Sequence, residues 1–387
     1  MIWSVLFWFS LLAITYSYIL YPVFLQIRAK GRKLVAPKAP ANWPTVDVIF
    51  AAYNEEKVLE DKLRSVLESD YPREKLRIHV GSDASTDATD TILYKIAAED
   101  SRLQWERFGG RSGKSHIINT LANQSEAEIL IPTDANIIFT KKTIKHLTRW
   151  FADEAVTIVG STIIYDSPEG KGIADQEDFY LQRENRIKEM ESVLYGAAMG
   201  VEGGCYAIRR NAFHTIPRNY YMEDFFQSMH VLSNGGKVLV DKKARVFEDV
   251  STEIHEEYKR KLRISIGNFQ NLKHFAFVIR EQTFPLGFVF LSHKVMRWLS
   301  PFFLLTMLIT AFILAFKGVG FYQTCSAMAL MWIALTIAQV KKMITVSGIF
   351  AFATHFLYMN LALFHGFIQF IKGVESNVWQ PTKRKQA

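Results

Sequence analysis

The sequence has almost no cysteine, and four of its segments have no charge at all. Cys205 and Cys325 are the only two cysteines among 387 residues, and neither has a metal-type neighbour. A disulfide-stabilised scaffold is therefore excluded, and a structural zinc site is not expected. Asp, Glu, Lys and Arg are absent from residues 1–27, 298–316, 318–340 and 343–371. The stretch between the first two of these segments is charged like an ordinary folded domain.

The uncharged segments are about as long as membrane spans. A helix needs about 20 predominantly apolar residues to cross a bilayer. The alternative is that they are buried helices of a soluble core, but three of them follow one another almost without interruption. The first segment lacks the basic start and the small-residue cleavage site of a secretory signal. We therefore predict one retained N-terminal anchor and about three C-terminal spans.

Basic residues flank the predicted spans. Five of them follow the first segment, with no acid before Asp47: Arg28, Lys30, Arg32, Lys33 and Lys38. Lys294 and Arg297 precede the second segment, and Lys341 and Lys342 follow the third. Positive residues beside a span mark the cytoplasmic side, so the middle domain is predicted to be cytosolic. The net charge of +8 lies largely at these flanks, and no nucleic-acid partner is predicted.

The layout of the chain follows from these segments. Lys383, Arg384 and Lys385 fit the orientation poorly if residues 343–371 cross fully, so that segment is either a span or re-entrant. The apolar stretch 284–293 precedes two charges and is interpreted as an interfacial helix lying on membrane lipid. The predicted parts are an anchor (1–27), a basic linker (28–45), an α/β domain (46–252), basic and interfacial helices (253–297), a C-terminal transmembrane region (298–371) and a basic tail (372–387).

The middle domain alternates between strand and helix patterns. Predicted strands at 46–52, 76–81, 103–108 and 128–132 are each followed by a predicted helix. Such alternation predicts a parallel, doubly wound α/β sheet, which binds ligands beyond the carboxyl ends of its strands. The second half is less regular, with predicted helices at 173–195 and 223–232 and predicted strands within 200–210 and at 237–240.

Acidic side chains stand where such a sheet binds ligands. Asp83 and Asp134 each follow a predicted strand, and Glu223-Asp224 stand at the start of a predicted helix. Taken alone, each has an ordinary interpretation as a helix cap or a turn residue. A basic cluster at 259–263 is by itself a solvated or lipid-facing helix surface. Together they suit a diphosphate, which needs a divalent cation and cationic side chains, and a hydroxyl, which needs a carboxylate to take its proton.

A glycine-rich string offers a different class of function. Residues 109–115, Gly-Gly-Arg-Ser-Gly-Lys-Ser, resemble the phosphate loop of ATPases. That loop requires four residues between its first glycine and Gly-Lys-Ser/Thr, and counting back from Gly113 places Phe108 at the first position. The motif fails by one residue. A P-loop-like ATPase of a membrane transporter therefore stays an alternative, beside a flexible turn that begins a helix.

The ordered set of motifs resembles glycosyltransferase family 2. The strings that carry the resemblance are Ala-Ala-Tyr-Asn-Glu-Glu at 51–56, Gly-Ser-Asp-Ala-Ser-Thr-Asp at 81–87, Arg-Ser-Gly-Lys at 111–114, Thr-Asp-Ala-Asn at 133–136, Glu223-Asp224 and the basic cluster at 260–263. The chain is similar to the membrane-embedded branch that includes cellulose, hyaluronan and poly-N-acetylglucosamine synthases. The resemblance covers residues 44–300 in detail and the flanking spans in layout.

The resemblance implies a GT-A fold, which is Rossmann-like with a mainly parallel sheet, and a role for each matching residue. Asp224 would be the general base, supported by Glu223. Asp134 would contact the donor and, with Asn136, place Mg²⁺ or Mn²⁺. The remaining residues would bind the nucleotide sugar: Ala52, Glu55 and Asp83 at the nucleoside, Lys114 near the phosphates, and Arg260 and Arg263 at the departing diphosphate.

The implied reaction is transfer of a sugar from a nucleotide sugar, expected to be a UDP-sugar, with inversion. The acceptor would be a glycan or a lipid, in polysaccharide synthesis or in a single transfer, at a bacterial inner membrane. The sequence departs from the family at Asn136, where an aspartate is usual, and at Ile264, where the processive synthases have tryptophan. A non-catalytic partner of a polysaccharide synthase therefore remains a further alternative.

Overall fold

The computed structural model describes residues 1–165, 173–248, 254–341, 343–344 and 348–374. The chain divides into two compact units. The sheet unit comprises Arg28–Thr252 and Val374–Ala387, and the helical unit comprises Met1–Ile27 and Glu253–Gly373. Most of the predicted basic tail, at 375–387, lies outside the described residues.

The sheet unit is built on eight strands. In chain order they are β1 (Val46–Ala52), β2 (Leu76–Ser82), β3 (Leu103–Arg107), β4 (Ile129–Pro132), β5 (Ile138–Phe139), β6 (Val156–Tyr165), β7 (Tyr206–Arg209) and β8 (Lys237–Glu248). Their order in the sheet is β3-β2-β1-β4-β7-β6-β8-β5. The first four positions are parallel, whereas β7 runs antiparallel to both β4 and β6. The strands β6 and β8 pair in parallel, and β5 closes the sheet antiparallel to β8.

The helices belong to both units. In chain order they are α1 (Ile2–Thr15), α2 (Tyr21–Arg28), α3 (Leu59–Leu67), α4 (Thr89–Glu99), α5 (Lys114–Gln124), α6 (Thr143–Thr148), α7 (Ile173–Tyr195), α8 (Glu223–Ser233), α9 (Ile254–Glu281), α10 (Met296–Trp298), α11 (Ser300–Phe316), α12 (Gly320–Val340) and α13 (Gly348–Lys372). Of these, α3 to α8 lie wholly within the sheet unit and α9 to α13 within the helical unit.

In the first half of the sheet unit, helices cover both faces of the parallel strands, which agrees with the alternation of strands and helices along the chain. Every residue of β1 is buried, as expected for a central parallel strand covered by helices on both sides. The helix α3 buries Leu59, Leu63 and Val66, which share one face at helical spacing. The predicted strands and the GT-A fold are confirmed here.

The sheet is mainly parallel as expected, but its second half also contains antiparallel pairs. The ten-residue strand β6 was not predicted, although its β-branched run, Val-Thr-Ile-Val-Gly-Ser-Thr-Ile-Ile-Tyr, favours a strand. The strand β8 continues to Glu248, well past the predicted end at residue 240. Strand direction depends on how β7 enters between β4 and β6, and no local pattern in the sequence encodes that pairing.

The helical unit contains the membrane-spanning candidates. Among the residues that the structure describes, three helical stretches are long and apolar enough to cross a membrane: Ile2–Arg28, Gly320–Val340 and Phe350–Lys372. The pair Thr283–Trp298 and Ser300–Phe316 also passes together, but it is bent by 56° and is either a broken span or a re-entrant loop. The predicted interfacial helix at 284–293 lies in the first half of that bent pair. The helix α13 is continuous over 25 residues, long enough for a full span.

The close approach of β2 to α5 gives a prediction about stability. A Cβ atom added at Gly81 would lie 2.3 Å from Ile117 Cγ2 and 2.9 Å from Phe108 Cε2. Overpacking of this kind costs about 1 to 3 kcal/mol. We therefore expect Gly81→Ala to lower the thermal unfolding midpoint in detergent. Gly109→Ala is the matched control, because a Cβ atom at Gly109 meets nothing within 4 Å. Equal midpoints for the two variants would contradict the packing.

Candidate active site

The candidate site begins where three neighbouring strands end. Asp83 directly follows β2 and Asp134 follows β4, on either side of the central strand β1. The Asp83 amide donates to the Ala52 carbonyl at the end of β1 (2.8 Å). The prediction that both aspartates share the carboxyl edge of the sheet is therefore confirmed by the strand order.

Asp83 organises the turn before α5. Its carboxylate accepts hydrogen bonds from the amides of Ser112 (2.5 Å) and Gly113 (3.3 Å), and from Arg111 Nε (3.1 Å). The Asp83 side chain is fully buried. The two amides that a phosphate loop would offer to a phosphate thus bind a carboxylate instead. This geometry does not support the P-loop alternative.

The turn after β1 is fixed against the loop after β2. Asn54 has a left-handed backbone, with φ of 52°, and its Oδ1 accepts from the Thr86 amide (2.8 Å). The Glu55 amide donates to Thr89 Oγ1 (2.9 Å), and Glu55 is buried. The sequence-predicted residues Ala52, Glu55 and Asp83 are therefore brought together at one end of the site.

An aromatic ring and a guanidinium group face each other at the same end. The Arg111 guanidinium lies over the Tyr53 ring, 3.3 Å from its centroid. Such contacts combine cation–π attraction with stacking of two flat groups. Neither residue was predicted to act individually, although both belong to strings that carried the family resemblance.

Lys114 connects three separate elements of the site. It is the first residue of α5, and its Nζ lies 2.6 Å from Asp134 Oδ1. The same Nζ forms a second ion pair with Glu223, which is the first residue of α8. Burial alone would lower the pKa of Lys114, but the carboxylates of Asp134 and Glu223 outweigh it and raise that pKa well above its usual value. Three of the sequence-predicted residues are thus in direct contact.

Asp224 is a buried carboxylate beside this cluster. It is 7% exposed, and burial, together with the negative charge of Glu223, raises its pKa to about 7. Met222, with φ of 60°, makes the sharp turn that begins α8 and brings Asp224 against Gly203. A Cβ atom at residue 203 would lie 3.2 Å from Asp224 Cγ, so the backbone and this carboxyl group approach each other closely. A carboxyl group tuned near neutral pH is suited to proton transfer.

The cation expected from the family resemblance would find oxygen donors at Asp134 and Asn136. Asn136 is buried and donates through Nδ2 to Glu248 Oε1 (3.4 Å). The Lys114 ammonium group already rests against Asp134 as a positive charge. Within the described residues, no group of three or more His, Cys, Asp or Glu side chains is arranged to hold a metal. The donors present fit Mg²⁺ or Mn²⁺ that takes one or two protein oxygens and completes its shell with phosphate oxygens and water.

The two predicted arginines lie on α9 of the helical unit. Arg260 Nε is 2.9 Å from Glu257 Oε2, an ion pair within one turn of that helix. Arg263 lies on the same helix, at the spacing that places it beside Arg260 on the helix surface. Their predicted role at the diphosphate stays a prediction.

Lys62 was missed by the reasoning from sequence. It lies on the core face of α3, fully buried, and its Nζ donates to Thr133 Oγ1 (3.0 Å) and to the Ile137 carbonyl (2.7 Å). These acceptors stand at either end of the loop that carries Asp134 and Asn136. The signal was a lysine between Leu59 and Val66 on the apolar face of a predicted helix.

The environment of Lys62 predicts how stability varies with pH. Burial lowers its pKa to about 7, whereas an unfolded lysine titrates near 10.4. Between these values the unfolded chain binds more protons, so this group makes folding more favourable as pH rises from about 7 to about 10, by up to about 1.4 kcal/mol per pH unit. We expect the unfolding midpoint of the wild type, relative to Lys62→Met, to rise over that range. A constant difference would contradict the buried amine.

Comparison with known proteins places this geometry in context. The mannosyltransferase PcManGT from Pyrobaculum calidifontis, solved in complex with GDP-Man and Mn²⁺, superimposes with a TM-score of 0.68 at 21% identity. The superposition covers 94% of this chain and 98% of that one. At this identity the likeness establishes the shared fold and nothing further.

Relatives by sequence match parts of the chain. An N-acetylglucosaminyltransferase from Mesorhizobium japonicum is 26% identical over 194 residues, which are 49% of this chain and 45% of that protein. A beta-monoglucosyldiacylglycerol synthase from Nostoc sp. is 29% identical over 118 residues, which are 30% of this chain and 25% of that protein. The chain therefore spans less than half the length of these relatives.

Matches to whole families cover more of the chain. The family described as Glycosyl transferase family 2 matches residues 47–216, which include Asp83, Lys114 and Asp134. The family described as Glycosyl transferase family group 2 matches residues 134–365. This match covers more than half of the 387 residues and includes part of the helical unit. The chain thus belongs to the glycosyl transferase family 2 group.

Proposed function

We propose that the protein transfers a sugar from a nucleotide sugar to a hydroxyl group of a glycan or lipid acceptor, with inversion at the anomeric carbon. The observation that carries this proposal is the pair Glu223-Asp224. It combines a buried carboxylate tuned near neutral pH with a neighbour that is ion-paired to Lys114. This is the arrangement that a general base needs when it must be ionised before reaction and protonated after it.

Asp224 is the residue that takes the acceptor proton. Its buried position strengthens its interaction with a hydroxyl group, since few water molecules compete there. Burial, and then charge repulsion from Glu223, raise the pKa of Asp224, which makes the carboxylate a stronger base than an exposed aspartate. The acceptor oxygen then attacks the anomeric carbon on the face opposite the diphosphate. The bond to the diphosphate breaks, and the configuration at that carbon inverts.

The nucleoside end of the donor lies at the strand ends of β1 and β2. Tyr53 and Arg111 stack on each other, and a nucleobase is proposed to stack on the outside of this pair. Ala52, Glu55 and Asp83 shape the same end of the sheet, and Asp83 holds the turn that leads to Lys114. The donor is expected to be a UDP-sugar, and the diphosphate then reaches Lys114 at the start of α5.

The diphosphate end needs positive charge. Asp134 and Asn136 are the residues that would hold Mg²⁺ or Mn²⁺, and a bound divalent cation offsets negative charge on a leaving diphosphate. Lys114 supplies positive charge, and the expected role of Arg260 and Arg263 at the diphosphate stays a prediction. The relative solved with Mn²⁺ and GDP-Man supports this only through its shared fold.

The membrane location follows from the helical unit. Three helical stretches are suited to span a bilayer, and basic residues follow the first of them. We propose that the sheet unit faces the cytosol at a bacterial inner membrane, where nucleotide sugars are available, and that membrane lipid surrounds the spans. A lipid acceptor is within reach of such a location, and so is a growing glycan.

A donor screen tests the proposed activity. Detergent-purified protein is incubated with a panel of UDP- and GDP-sugars and with membrane lipid extract, with Mg²⁺ or Mn²⁺, and released nucleoside diphosphate is measured. We expect release with one donor, loss of release on chelation, and at least a hundredfold loss in Asp224→Asn, because a general base contributes about 10² to 10⁴ in rate. Donor binding to Asp224→Asn should persist.

The control for this screen is Asp61→Asn, which changes the same side chain on the exposed face of α3. It should release diphosphate at the wild-type rate. Binding of a nucleotide sugar without release from any donor would contradict the proposal and would favour the non-catalytic partner.

The pH profile tests the role of Glu223. Because the pKa of Asp224 is about 7, we expect kcat to fall tenfold per pH unit below that value at saturating donor. Glu223→Gln removes the neighbouring negative charge, so the acid limb should move to lower pH. Glu126→Gln, an exposed change elsewhere, should leave the limb in place. A limb that does not move in Glu223→Gln would exclude Asp224 as the titrating group.

A further inference from the structure

Tyr206 is a buried side chain for which the mechanism above has no use. It is the first residue of β7, it is 1% exposed, and its hydroxyl makes no hydrogen bond with any residue that the structure describes. Tyr71 shows the usual arrangement, because its hydroxyl donates to the Pro44 carbonyl (2.8 Å). Buried polar groups without a partner are rare and unfavourable, so each one calls for an explanation.

The position of Tyr206 in the sheet is next to the candidate site. Its neighbour Cys205 pairs with Thr133 in an antiparallel bridge, and Thr133 directly precedes Asp134. Burial raises the pKa of the Tyr206 hydroxyl well above its usual value, and the ionised groups that act on it include Glu223, Asp224 and Lys114. The phenol therefore stays protonated and can donate a hydrogen bond at any pH at which the enzyme works.

The charges around the phenol indicate which part of a ligand it meets. Glu223 and Asp224 act electrostatically on the phenol, and so do Lys114 and Asp134. The first pair stands where the acceptor hydroxyl reacts, and the second pair stands at the diphosphate. A donor sugar must lie between these two places, since its anomeric carbon is attacked on one side and released from the diphosphate on the other.

We propose that the Tyr206 hydroxyl donates a hydrogen bond to an oxygen of the sugar that is transferred. This assignment rests on the proposed function, and it adds a residue that recognises the sugar part of the donor. A sugar carries several hydroxyl oxygens with free lone pairs, and a phenol that lacks a protein partner gives up no existing bond in binding one of them.

The hydroxyl is covered in the structure, so the charged side chains around it must rearrange before a sugar reaches it. Lys114 is the group with most reason to move. It holds Asp134 and Glu223 together in the protein alone, and a diphosphate offers it a stronger anionic partner. Its departure towards the diphosphate would loosen the cluster around the phenol as the donor enters.

The substitution Tyr206→Phe separates this role from a structural one. It removes only an oxygen that makes no hydrogen bond within the described protein, so the thermal unfolding midpoint should be unchanged or higher. In detergent-purified protein with the donor found in the screen, we expect kcat/KM to fall about five- to tenfold, the effect of one neutral hydrogen bond. Inhibition by the nucleoside diphosphate product should keep its wild-type constant, because that product lacks the sugar.

Tyr71→Phe is the matched control. It removes a hydroxyl that does form a hydrogen bond, away from the candidate site, so it should lower the unfolding midpoint and leave kcat/KM at the wild-type value. Opposite effects of the same chemical change at the two positions would support the assignment.

Three outcomes would overturn it. If Tyr206→Phe retains wild-type kcat/KM while the wild type turns over, the sugar contact is wrong and the proposed function stands. If inhibition by the nucleoside diphosphate weakens as much as kcat/KM falls, the phenol contacts the nucleotide and not the sugar. If the wild type releases no diphosphate from any donor, the proposed function fails and this assignment fails with it.

Discussion

The ion pairs of Lys114 are the interaction on which the rest of the candidate site depends. One ammonium group joins the end of β4, the start of α5 and the start of α8, three places that are separated by as many as 109 positions in the sequence. Without a cation between them, Asp134 and Glu223 would repel each other within a cluster that also contains Asp224. These ion pairs therefore hold the start of α8 near the end of β4. The proposed base, Asp224, is the second residue of α8 and is positioned by the same contacts.

Burial shifts the pKa values of two groups near the site in opposite directions. Asp224 and Lys62 are both buried, and burial moves their pKa values in opposite directions to nearly the same value, about 7. Burial disfavours the charged form in both cases, which raises the pKa of an acid and lowers that of a base. A fold retains such groups at a cost in stability, and perturbed groups of this kind concentrate at functional sites. Lys62 donates hydrogen bonds to both ends of the loop that carries Asp134, while Lys114 forms an ion pair with Asp134 itself.

Much of this arrangement was predictable from the sequence because it is local. Asp83 and Asp134 end strands whose apolar runs are readable, and the parallel order of β1, β2 and β4 brings those ends to one edge. Glu223 and Asp224 begin a helix at a visible change in pattern. What the sequence did not reveal depends on long-range pairing: the antiparallel insertion of β7 beside β6, the contact of Gly203 with Asp224, and the surroundings of Tyr206. The strand β6 itself has a local signal in its β-branched run. The buried Lys62 was readable as a charged residue on an apolar helix face, but only the fold shows which loop it supports.

The contact between Tyr53 and Arg111 has a consequence for selectivity. A nucleobase that stacks on this pair would be recognised by its face, and every base has such a face, so stacking distinguishes planarity and not base identity. Discrimination between a pyrimidine and a purine must come from groups that reach the edge of the ring. Asp83 stands nearby, but three donors already occupy its carboxylate, which has about four lone-pair sites in all. If a nucleobase binds here as proposed, this end of the sheet would hold it more firmly than it would identify it, and an exchange of one nucleotide carrier for another would require few changes to the fold.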